Sequence, residues 1–98
     1  MLSHRAKAEF FEHGFLVLPS FYSAADVLTM RRAFSRLERR ARKLDVTGTV
    51  DGSLFVVDRR SDLVRIERIV WCGAAEPSLA ELGRTPRLVR AMAQLLEA

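Results

Sequence analysis

Between Ser23 and Leu44, apolar side chains recur at Val27, Met30, Phe34, Leu37, Ala41 and Leu44. Steps of three and four residues place them on one face of a helix. Ser23, with Asp26 three residues on, forms a capping-box-like start. The serine oxygen can accept from a free backbone N–H, and the carboxylate sits near the positive helix end. The other face carries Arg31, Arg32, Arg36, Arg39, Arg40, Arg42 and Lys43. Leu28 is the one large apolar residue off the stripe. The pattern predicts an amphipathic helix from about Ala24 to Lys43, which needs a second apolar layer to pack against.

The flanking sequence predicts that layer as a mixture of helices and strands. Ser3 can cap a short helix to His13, with Gly14 at the left-handed position after it. Phe15-Leu16-Val17-Leu18, ended by Pro19, fits a short buried strand, and Phe10, Phe15 and Phe21 are expected to supply core volume. After Asp45 the texture changes. Asp51-Gly52 provides the positive φ angles of a two-residue hairpin turn ahead of Leu54-Phe55-Val56-Val57. Leu63 to Cys72 is β-prone, but Arg65, Glu67 and Arg68 break its alternation, which leaves an edge strand or an extended loop. Glu76 to Leu82 reads as a short helix closed by Gly83. Thr85-Pro86 then opens a last helix whose buried face is Leu88, Val89, Met92, Leu95 and Leu96. That helix reaches Leu-Leu-Glu-Ala without a stop signal, so the natural chain is expected to continue. The expected class is α+β, with residues 1–98 as a single domain of helices packed on a few short strands.

Composition narrows the function. No stretch approaches the ~18 apolar residues of a membrane span, and the first nine residues hold no apolar signal region. Cys72 is the only cysteine, so a disulfide framework is excluded, and with two histidines a zinc site is too. A cytoplasmic location fits. The net charge of +4 favours anionic partners. The excess is all arginine, since Lys7 and Lys43 are the only lysines, which also fits a coding bias.

Catalytic constellations are sparse. His4 and His13 stand near the start, and neither has an acidic residue two positions on. His13 suits a helix C-terminus, where a cation favours the dipole. Cys72 follows Trp71 in an apolar run and reads as a structural thiol. Asp45, Asp51, Asp58, Asp62 and Glu67 are scattered as turn and surface residues, while Gly48 and Gly52 fit the hairpin, not a phosphate loop. Arg32, Arg36, Arg39, Arg40 and Lys43 form a candidate face for an anion or partner. No aromatic residue interleaves with them for base stacking, and Glu38 falls among them. A solvated basic face is the simpler reading, and nucleic acid is disfavoured.

Two blocks carry a family resemblance. The first is Phe10-Phe11-Glu12-His13-Gly14-Phe15-Leu16-Val17-Leu18-Pro19-Ser20-Phe21-Tyr22-Ser23. The second is Glu76-Pro77-Ser78-Leu79-Ala80-Glu81-Leu82, then Thr85-Pro86-Arg87-Leu88-Val89 and Leu95-Leu96. In order and distance they resemble the N-terminal part of the phytanoyl-CoA dioxygenase family, with Glu97 where a glycine is usual. The resemblance implies an Fe(II)/2-oxoglutarate-dependent oxygenase that hydroxylates a small organic or acyl substrate. Its core would be a double-stranded β-helix, or jelly roll, with iron held by His-x-Asp and a distant His. None of those ligands maps onto these 98 residues, so no iron or 2-oxoglutarate is expected on this chain alone. By analogy, Arg65, Arg68 and Trp71, with the charged run Asp58 to Asp62, would lie near the substrate mouth. The alternative is a small basic binding module, for nucleic acid or a protein, acting through the arginine face. Leu28 and the uncapped last helix leave apolar surface that favours self-association.

Overall fold

The structure is a computed structural model and describes residues 1–97. Its helices are α1 (His4–His13), α2 (Ala24–Ala41), α3 (Cys72–Ala75), α4 (Pro77–Leu82) and α5 (Pro86–Leu96). The strands β1 (Gly48–Val50), β2 (Ser53–Arg60) and β3 (Leu63–Val70) form an antiparallel sheet in the order β1-β2-β3. The fold is α+β, as the alternation of periods predicts.

Local signals act where expected. Ser3 Oγ accepts from the Ala6 N–H at 3.1 Å, and Ser23 Oγ from the Asp26 N–H at 3.1 Å. Gly14 ends α1 at φ 80°. Asp51 and Gly52 both have positive φ, and Val50 pairs with Ser53 across them, as a type I′ turn requires. A second turn, at Ser61-Asp62, joins β2 to β3, so most of the charged run from Asp58 is strand, not loop.

The core is small. Leu37 and Ala41 of α2 meet Phe55 of β2 and Ala75 of α3, with Leu44, Val50, Val57, Ile66, Ile69, Cys72 and Leu79 around them. Burying Phe55 and Leu37 contributes on the order of 2–3 kcal/mol each. Arg59 holds the sheet to the end of α2, donating from Nε to the Leu44 carbonyl at 3.1 Å and pairing with Asp45. Its Nη2 also donates to the carbonyl of Arg42, the C-cap of α2, at a helix end whose carbonyls lack intrahelical partners.

Several apolar expectations fail for one reason: the chain offers too little second layer to cover them. On α2 the buried ridge is Ala33, Leu37 and Ala41, while Phe34 is 50 % exposed and Val27 also lies at the surface. Residues 15–18 form no strand because no strand lies beside them to pair with; Phe15 and Val17 are exposed, and Leu16 and Leu18 half-buried. On α5 only Ala91 is buried, with Val89, Met92 and Leu96 exposed. That helix is also not uncapped. Glu97 takes the left-handed conformation at φ 57° and its N–H reaches Gln94 O at 3.4 Å, the role a glycine fills more easily.

The molecule is extended, 52 × 27 × 23 Å. Its radius of gyration is 16.9 Å, against about 13 Å for a compact chain of this length.

Candidate functional site

The outer face of the sheet is built by an irregularity in β3. Phe55 pairs with Ile69 and Val57 with Ile66, and all four pack in or against the core. Ile66 and Ile69 are three residues apart, so a regular strand would point them to opposite faces. The register shifts between Val56 and Val57, and the extra residue on β3 is Glu67. This bulge resolves the broken alternation of the sequence. It also brings Arg65 and Arg68 to one face, where they pair with Asp58 and Val56.

That face is divided along its length. Leu54, Val56 and Val70 make an apolar half. Toward the Ser61-Asp62 turn, Asp58, Arg60, Leu63 and Arg65 line a cleft of about 260 Å³. Arg60 Nε lies 3.2 Å from Asp58 Oδ2, while Arg65 and Arg68 have no ion-pair partner among the described residues. The arrangement suits an amphipathic anion, with its charge near the arginines and its chain along the apolar half.

Trp71 follows the end of β3, roughly 10 Å along the chain from Arg68 and roughly 20 Å from Arg65 at ~3.3 Å per residue. It adopts a left-handed conformation, φ 55°, and its side chain is largely exposed. Its backbone is held by Ser53, which is fully buried. Ser53 Oγ donates to the Trp71 carbonyl at 2.7 Å and accepts from the Ala75 N–H at 3.0 Å. The structure therefore sets Arg65 and Arg68 on one face of β3 and Trp71 just past the strand's end, three residues after Arg68.

The arginine face of α2 divides into two groups. Arg36 Nε donates to Glu76 Oε1 at 2.7 Å. Arg40 lies 3.7 Å from Glu76 Oε2 and 3.2 Å from Asp51 Oδ2. Glu76, at the start of α4, is only 4 % exposed. These two arginines tie α2 to the α3–α4 corner. Arg32, Arg39 and Lys43 are exposed and make no ion pair among the described residues. Glu76 is the residue that sequence reasoning missed. Its only local signal is its place before Pro77 at a helix start, which says nothing of burial.

A second cleft, of about 340 Å³, opens between α1, α5 and the segment around Leu18 to Phe21. Arg87 closes part of it, donating to the Phe21 carbonyl and stacking 4.5 Å over the Phe21 ring. Arg90 and Ser3 also line it.

Among the described residues there is no group of three or more His, Cys, Asp or Glu side chains that could hold a metal ion. No described helix is long and apolar enough to cross a membrane. Compared with protein-family models, curated proteins and solved structures, the chain finds no match.

Proposed function

We propose that this chain is the N-terminal portion of a cytoplasmic Fe(II)/2-oxoglutarate-dependent dioxygenase of the phytanoyl-CoA dioxygenase type. In this reading α1, α2 and α5 support a jelly-roll core supplied by the rest of the parent protein, which would also hold iron and 2-oxoglutarate. The outer face of the sheet forms part of the substrate entrance. The supporting observation is the bulge at Glu67, which sets Arg65 and Arg68 on one face with Leu54, Val56 and Val70. Guanidinium groups beside an apolar strip suit the phosphates or carboxylate of an acyl substrate. The chemistry, hydroxylation of an unactivated C–H bond coupled to oxidative decarboxylation of 2-oxoglutarate, would belong to the parent.

Two measurements test this reading. The intact mass of the native product is expected to exceed 11.1 kDa, with the added sequence carrying His-x-Asp and the full chain decarboxylating 2-oxoglutarate when iron is supplied. A native mass equal to that of the 98 residues would refute it. Separately, a medium-chain acyl-CoA titrated against the chain should be bound, and Arg65→Ala with Arg68→Ala should weaken binding about tenfold, two charge-assisted contacts being involved. Unchanged binding in the double variant would remove the sheet face from the entrance.

The alternative of a polyanion-binding helix keeps three of its five cations, Arg32, Arg39 and Lys43, since Arg36 and Arg40 are engaged by Glu76.

A further inference from the structure

We propose that one shoulder of α2, formed by Val27, Arg31, Phe34 and Glu38, is the contact between two copies of this chain, packed antiparallel about a two-fold axis. The inference does not depend on the oxygenase reading.

The three sides of α2 have different fates. Its buried ridge, Ala33, Leu37 and Ala41, faces the core. One shoulder, Arg36 and Arg40, closes on Glu76. The opposite shoulder has no such cover: Phe34 is 50 % exposed, and Val27 and the neighbouring Leu28 are also at the surface. Steps of four, three and four along Val27, Arg31, Phe34 and Glu38 make a straight seam, the spacing used when two helices pack at a shallow angle.

The occupant is argued from charge order and area. In an antiparallel pair with the two-fold axis between Phe34 and Ser35, residues equidistant from the axis face each other. Arg31 then faces Glu38 of the second copy, and Glu38 faces Arg31 of the second copy. The surface is complementary to itself, as an isologous contact requires. Glu38 holds Arg42 through Oε1, which leaves Oε2 available, and Arg31 makes no ion pair among the described residues. The chain exposes 7350 Å², about 1,700 Å² more than a compact monomer of its mass. This surplus exceeds the ~800 Å² that each partner loses in a standard stable interface.

The test is sedimentation equilibrium of the 98-residue chain and two charge reversals, with far-UV circular dichroism to check that each is folded. Wild type should approach twice 11.1 kDa. Arg31→Glu places glutamate opposite the second copy's Glu38, and Glu38→Arg places arginine opposite the second copy's Arg31. Each alone should raise the dimer dissociation constant about tenfold or more, two like-charge pairs replacing two attractive ones. Mixed in equal amounts, the two variants restore both opposite-charge pairs, and a heterodimer should form. A wild type that stays monomeric to its solubility limit overturns the proposal and leaves the shoulder to a different partner. It is equally overturned if the single variants dimerise as wild type does, or if folded variants remain monomeric when mixed.

Discussion

Arg36 and Glu76 are 40 residues apart in the chain and 2.7 Å apart in the structure, with the carboxylate buried and the guanidinium half open to solvent. Removing Arg36 leaves a buried carboxylate with only the longer contact to Arg40. Arg36→Ala is expected to destabilise the chain by about 1–2 kcal/mol, below the ~3–5 kcal/mol of a fully buried pair because water reaches the arginine. Replacing both partners, as in Arg36→Met with Glu76→Met, should cost less than the sum of the single changes. Urea unfolding of the four proteins in a double-mutant cycle reads this directly.

Ser53 joins β2 to the start of α3 through two hydrogen bonds at a fully buried position. Ser53→Ala strands the Ala75 N–H without an acceptor, at a cost of about 1–3 kcal/mol. Chemical denaturation gives the stability change. The emission of Trp71, whose carbonyl loses its donor, should shift as the corner loosens.

At Gly73 the space is occupied by backbone. A Cβ there would come within 3.0 Å of Ala80 Cβ and 3.2 Å of Ala80 Cα and N. Gly73→Ala gains up to about 1 kcal/mol of helix propensity, but the forced separation of α3 from α4 should cost about 1–3 kcal/mol. The melting temperature is therefore expected to fall. A rise would mean that α4 shifts freely.

Deleting Glu67 removes the bulged residue and leaves Ile66-Arg68-Ile69 in regular alternation. With Glu67 alone gone, Arg68 becomes the single outward residue between two inward isoleucines. The deletion is therefore expected to fold, with a loss on the order of 1 kcal/mol or less, because no inward side chain leaves the core. Ile69→Ala, which keeps the bulge but empties the site, should cost more, about 2 kcal/mol or above. Thermal unfolding ranks the two. The reverse order would mean that the bulge itself holds the sheet to α2.

Much of the fold was legible in the sequence. Ser23 and Asp26 mark the start of α2, Asp51-Gly52 the first hairpin turn, and Gly14 and Pro86 a helix end and a helix start. The candidate site was legible only in part. Arg65 and Arg68 stood out as charges that spoil a strand, but nothing local said that one extra residue would align them. Trp71 was grouped with them by analogy alone, and it follows β3 directly, in a left-handed conformation three residues after Arg68. The arginine face was read as one surface, although two of its members turn to a carboxylate that no nearby residue announces.

The sequence by itself determined the elements whose causes lie within a few residues: helical periodicity, side-chain caps, the positive φ angles of a turn, and the fixed φ of a proline. Only the tertiary structure decided which apolar side chains are covered, that Ala33 is buried while Phe34 and Phe15 are not, and that Glu76 is enclosed by Arg36 and Arg40. The physical reason is range. Backbone conformation responds to neighbours along the chain, whereas burial and ion pairing depend on which distant surfaces meet, and here α2 meets one sheet face and one helical corner.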